Sequence, residues 1–138
     1  FGGAPLNTTE VLQFSTLTFT PGPDMQSARY CCDTVALDAR RILVVGGFVG
    51  GSVLSSTEIL SLDTMAFAPG PDMATPRNGS AAIALDKHRI MVAGGRSSSG
   101  MLNTTEVLDV RTMAFTPGPT MGSVRLGCAA VPVDAKHV

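Results

Sequence analysis

Charge of one sign, long apolar runs and histidine are all scarce in this 138-residue sequence, and each shortage removes a class of function. Ten Lys and Arg against eleven Asp and Glu leave a net charge of -1, so no overall basic field exists to hold a nucleic-acid backbone. No apolar run approaches the ~18 residues that a membrane-crossing helix needs, and no direct membrane insertion is expected. The two histidines, His88 and His137, sit in charged turn sequences away from Cys31, Cys32 and Cys128, so no nucleophile–base pair is expected. Three cysteines without a Cys-x2-Cys spacing give neither a zinc site nor a disulfide framework. They are expected as small buried residues near a central channel. No glycine-rich loop opens a helix, so no phosphate cradle is expected. The reading therefore assigns no catalytic residue, no metal and no cofactor.

What the sequence has is a period. Glu10, Glu58 and Glu106 lie 48 residues apart, as do Phe19, Phe67 and Phe115. Pro21-Gly22-Pro23 returns at 69–71 and at 117–119, followed by Met25, Met73 and Met121, and then by Arg29, Arg77 and Arg125. Asp38, Asp86 and Asp134 keep the same spacing, and Gly46-Gly47 returns as Gly94-Gly95. Within one period, residues 80–86 (SAAIALD), 89–95 (RIMVAGG), 105–110 (TEVLDV) and 113–116 (MAFT) have strand length and turn residues between them. No 3.6-residue apolar stripe survives across the turns. A repeated unit of four short strands predicts an all-β propeller with about three four-stranded antiparallel blades. The repeats run over residues 1–29 (incomplete), 30–77, 78–125 and 126–138 (incomplete).

The glycine doublet after the second strand, the Glu in the third, the aromatic in the fourth and the Met-x3-Arg that follows resemble kelch repeats. They are closest to the type found in galactose-oxidase-like central domains. Two positions depart from that pattern. The usual fourth-strand Trp is Phe19, Phe67 or Phe115, and the usual third-strand aromatic is Leu12, Leu60 or Leu108. Both keep an apolar plug between sheets. The resemblance implies a non-enzymatic protein-binding or scaffold module of a larger propeller. Its alternatives are a segment of a propeller enzyme (an oxidase or sugar-processing enzyme) with catalytic residues elsewhere, and a structural subunit of a large assembly. Just under three repeats form an open arc, whereas such rings close with four to eight blades. The remaining blades of the same chain, or a second copy, are expected to close it, and the chain reads as a segment of a longer propeller.

The recurrent Glu and Arg are expected to satisfy each other at blade boundaries. Candidate contacts for a protein partner lie instead in the loops between second and third strands. There Phe48, Val53, Leu54, Arg96 and Met101 are read as departures from the repeat. Arg40, Arg41, Lys87, Arg89 and Lys136 gather in the turns between first and second strands, which read first as ordinary solvated hairpin turns and otherwise as a basic rim for an acidic partner. All three asparagines, Asn7, Asn78 and Asn103, stand in Asn-x-Ser/Thr triplets and are glycosylation candidates. The triplets point to the secretory pathway, and three unpatterned cysteines point to a reducing compartment.

Overall fold

The computed structural model describes residues 4–134 and 137–138, which contain strands and turns but no helix. β1 (Glu10–Gln13) and β2 (Thr18–Pro21) form a two-stranded antiparallel sheet. β3 (Asp33–Ala36) and β4 (Arg41–Val45) follow; β5 (Phe48–Val49) and β6 (Ser52–Val53) make a small hairpin; β7 (Thr57–Ser61) and β8 (Ala66–Pro69) complete the repeat. The next repeat gives β9 (Ala81–Asp86), β10 (Arg89–Ala93), the hairpin β11 (Arg96–Ser97) and β12 (Gly100–Met101), then β13 (Thr105–Asp109) and β14 (Ala114–Pro117). The sheets β3-β4-β7-β8 and β9-β10-β13-β14 are four-stranded, antiparallel and in chain order. Their registers superpose after one period: Val44 faces Glu58 and Ile42 faces Leu60, as Val92 faces Glu106 and Ile90 faces Leu108.

The fold is all-β, and the sheet arrangement is compatible with a partial propeller. Two sheets are complete. The first repeat contributes only its third and fourth strands, as β1 and β2. Residues 126–134 repeat the sequence of a first strand yet form none. A strand needs a neighbour to take its backbone groups, and no second strand stands beside this segment among the described residues. The segment 1–3 and Lys136 lie outside the described residues.

Apolar side chains of the two complete sheets meet face to face. Leu37, Leu43 and Val45 from one and Ile90, Val92 and Leu108 from the other form one core with Met73. The Pro-Gly-Pro turns explain themselves at Gly70. Its N–H donates to the Thr57 carbonyl at 3.0 Å, and Thr57 Oγ1 donates to the Pro71 carbonyl at 2.8 Å. A Cβ on Gly70 would strike Thr57 Oγ1, so only glycine lets the chain leaving the fourth strand stay against the start of the third. Thr9–Pro23 and Thr105–Pro119 repeat the bond at 2.7 Å.

On the inner side the repeats are strung together by backbone. Gly79 N–H donates to the Cys31 carbonyl, and Gly127 N–H to the Gly79 carbonyl, both at 2.8 Å. Asp33 Oδ2 adds a bond from Ala82 N–H at 2.7 Å. The cysteines depart from the buried reading. Cys31 is exposed, Cys32 and Cys128 are half-buried, and all three are free thiols. They line one cavity of about 490 Å3 along this inner side, together with Gly79, Ser80 and Gly127. Burial pushes the Cys32 thiol above its ordinary value, so it is no ready thiolate. No helix among the described residues is long and apolar enough to cross a membrane.

Candidate functional site

The loops that carry the candidate residues hang from a rigid frame, built twice from the same parts. Arg77 is 1% exposed and Glu106 3% exposed. Arg77 Nη2 meets Glu106 Oε1 at 3.2 Å, and its Nη1 donates to the carbonyls of Gly94 and Thr104, both at 2.9 Å. The Glu106 carboxylate also accepts the backbone N–H groups of Ala74 (2.7 Å) and Thr75 (3.0 Å). One repeat earlier, Arg29 meets Glu58 at 2.7 Å and binds the Gly46 and Ser56 carbonyls, while Glu58 accepts Gln26 and Ser27 N–H. Each carboxylate thus fastens the segment that leaves one sheet onto the third strand of the next. With most of its lone pairs and donors used in this way (Arg29 Nε alone has no partner among the described residues), a buried ion pair holds geometry. Of the recurrent residues, Glu58 and Glu106 do meet Arg29 and Arg77 at these boundaries.

The glycine doublet receives the arginine's backbone. Gly95 N–H donates to the Arg125 carbonyl at 2.7 Å, as Gly47 does to Arg77 at 2.8 Å. Gly94 has φ +65°, and a Cβ there would approach the Arg125 carbonyl oxygen to 2.6 Å. Directly after each doublet the chain leaves the frame as a small hairpin. Phe48 exchanges backbone bonds with Tyr30 (2.9 and 3.2 Å), and Arg96 does the same with Asn78 (2.9 and 3.0 Å). Phe48 and Arg96 therefore occupy one repeat position, as do Tyr30 and Asn78. The first pair is aromatic, with ring centroids 5.2 Å apart, and the second is polar.

Between the two hairpins runs a groove of about 640 Å3, lined by Phe48, Val53, Pro76, Asn78, Arg96 and the serines of the second hairpin. Its two walls differ in chemistry: Phe48 and Val53 on one side, Arg96 and Asn78 on the other. The Arg96 guanidinium is exposed and makes no hydrogen bond or ion pair among the described residues. Three of the five loop candidates, Phe48, Val53 and Arg96, thus line one groove.

The other two do not line it. Met101 is 56% exposed and lies outside the groove lining. Leu54 belongs to the frame: its N–H donates to the Gly47 carbonyl and its carbonyl accepts Arg77 N–H, as Leu102 does with Gly95 and Arg125. Leu6, Leu54 and Leu102 share the 48-residue spacing, a signal already present in the sequence. Asn78 and Pro76 are the residues that loop reasoning missed, because they belong to the entry of the next first strand.

The basic turns are set against carboxylates. Arg40 meets Asp63 at 3.0 Å, Arg41 meets Asp38 at 2.7 Å and Arg89 meets Asp86 at 2.7 Å, while Lys87 is exposed. Asp38 is held below the usual carboxylate range first by Arg40 N–H and then by Arg41; Asp86 is held down likewise by His88 N–H and then Arg89. Of the glycosylation candidates, Asn7 and Asn103 are half-buried, and their Nδ2 groups donate to the carbonyls of Met25 and Met121. Among the described residues no group of three or more His, Cys, Asp or Glu is placed to hold a metal ion. Comparison with known proteins finds no family model that matches the chain and no matching curated protein.

Proposed function

We propose that this chain is part of a kelch-type propeller that works as a non-enzymatic protein-binding module, with the groove between the two small hairpins as its contact site. The supporting observation is that one repeat position carries Phe48 on one wall and Arg96 on the other. A frame residue is needed in every repeat, whereas these two differ where the frame is constant. The kelch reading draws support from the glycine doublet, Glu, Arg and Met, each of which has a repeated place in the frame.

The groove chemistry suits a peptide segment with an apolar side chain next to a carboxylate. The apolar group would rest on Phe48, Val53 and Pro76, and the carboxylate would take charge-assisted bonds from Arg96. Both hairpins are laddered to the frame, so little ordering entropy is lost on docking. The test is selection from a peptide-display library against the full chain. Selected peptides should pair Asp or Glu with a neighbouring apolar residue. Arg96→Ala or Phe48→Ala should weaken them about tenfold or more, as expected of an interface anchor, while Met101→Ala leaves them unchanged. Peptides that bind the Arg96→Ala and Phe48→Ala chains as tightly as the parent would remove the groove from consideration.

A further inference from the structure

Among the described residues, four other than glycine have a positive φ. Leu17, Met65 and Met113 share one repeat position, in the turn between third and fourth strands, so their conformation belongs to the frame. Cys31 is different. Its φ is +54°, and the same position carries Gly79 (φ +59°) and Gly127 (φ +63°) in the following repeats. The backbone there calls for a residue without a Cβ, and a cysteine stands in its place. Strain of this kind clusters where a site is kept for its chemistry.

The left-handed residue also redirects the side chain that follows it. Along an extended strand successive side chains point to opposite faces. The turn at Cys31 breaks that alternation, and Cys31 and Cys32 open onto one cavity, lined also by Asp33, Thr34, Ser80 and Cys128. Both flanks of the dipeptide are fixed. Tyr30 exchanges backbone bonds with Phe48, the Cys31 carbonyl accepts Gly79 N–H at 2.8 Å, and Asp33 is paired with Val45. Two adjacent thiols are thus held towards one cavity before any bond joins them. The inner string runs from Cys31 to Gly79 to Gly127, so a whole repeat separates Cys128 from the pair.

We infer that Cys31 and Cys32 form a reversible dithiol–disulfide site, oxidised by small-molecule disulfides of the glutathione type. The Cys31 thiolate attacks one sulfur of the small disulfide, a mixed disulfide forms and one small thiolate leaves. The Cys32 sulfur, its proton given up to solvent, then attacks the Cys31 sulfur, and the second small thiolate leaves. Two protein thiols lose two electrons and two protons, and the small disulfide becomes two thiols. Cys31 attacks first because burial pushes the Cys32 thiol up and leaves less thiolate there. Neighbouring Cα atoms are about 3.8 Å apart, closer than the ~4.4–6.8 Å of ordinary disulfides, so the bond is strained and easily reduced. Such a bond is suited to switching and adds little as a staple.

The test is a titration of the full chain through glutathione buffers from reducing to oxidising, followed by alkylation and tryptic digestion. Cleavage after Arg29 and Arg40 puts Cys31 and Cys32 in one peptide without Cys128. That peptide should pass from doubly alkylated to unalkylated and two hydrogens lighter, and dithiothreitol should reverse the change. Cys32→Ser should stop at a glutathione adduct on Cys31, while Cys128→Ser closes as the parent does. In concentrated urea the ratio of bridged to reduced peptide at one buffer should fall about tenfold, because the unfolded chain no longer holds Cys31 left-handed. A peptide that stays doubly alkylated in the most oxidising buffer, a glutathione adduct that persists in the parent, a bridge to Cys128, or a ratio that urea leaves unchanged would each overturn the inference.

Discussion

Glu106 and Glu10 hold the same place in their repeats and live in different surroundings. The first is 3% exposed and locked to Arg77 and two backbone N–H groups, whereas the second is exposed on an open side. Leu108 and Leu12 differ in the same way, at 0% and 36% exposed. Backbone geometry does not explain the difference, since the registers of both hairpins superpose: Leu12 faces Phe19 as Leu108 faces Phe115. Each repeat sets where its side chains point. Whether they are buried is decided by the repeat next door, as in other stacked-repeat architectures.

The largest contrast should come from the glutamates themselves. Glu106→Ala leaves a buried Arg77 without its carboxylate and is expected to cost about 3–5 kcal/mol. Glu10→Ala, at an exposed position, should change stability by less than about 0.5 kcal/mol. Urea unfolding of both variants reads the difference directly, and equal losses would mean that burial of the pair has no bearing on stability.

A smaller contrast separates two residues on the inner backbone string. Gly79 has φ +59° and Gly127 φ +63°, and Cys31, at their repeat position, has φ +54° with a side chain that resists it. Cys31→Gly is therefore expected to stabilise by about 1 kcal/mol, and Cys31→Ala to give no comparable gain. Thermal unfolding at one protein concentration would decide, and a glycine variant that melts lower than the parent would contradict the strain argument.

The smallest effect belongs to the exposed turns. Hydrogen bonds from the Arg111 side chain, and then its backbone N–H, hold Asp109 well below the usual carboxylate range; Asp38 and Asp86 are also lowered. Near neutral pH these groups are charged in both folded and unfolded chains. As pH falls through about 4, the unfolded chain takes up protons that the folded chain still refuses, so their stabilising contribution drains away towards the lower folded values. Asp109→Asn should flatten the acid side of a plot of urea midpoint against pH. An unchanged acid slope would show that the turn does not feed into folding.

Much of the frame was legible because its chemistry recurs. The small apolar runs, the Pro-Gly-Pro turns and the Glu–Arg spacing are each set by local sterics or by a partner one repeat away, and both leave a mark at 48 residues. What escaped depends on context that no single repeat contains. Leu54 reads as loop variation until its backbone bonds show it in the frame. Residues 128–134 read as a strand, but strand propensity is realised only beside a partner. The groove was half legible: Phe48, Val53 and Arg96 stand out as departures, while Asn78 and Pro76 reach it only because the next sheet packs alongside.

Because both seams among the described residues use the same arginine, carboxylate and glycine carbonyl cradle, copying or deleting one whole period would leave no mismatched surface behind. An insertion of any other length in the frame would misalign a seam. Gene-level duplication in whole units is thus a low-cost change for such a chain, and the number of blades can drift between descendants while the chemistry of each boundary stays fixed. New contact specificity would then enter through the hairpin that follows each glycine doublet, where a residue such as Phe48 or Arg96 can be exchanged without disturbing any seam.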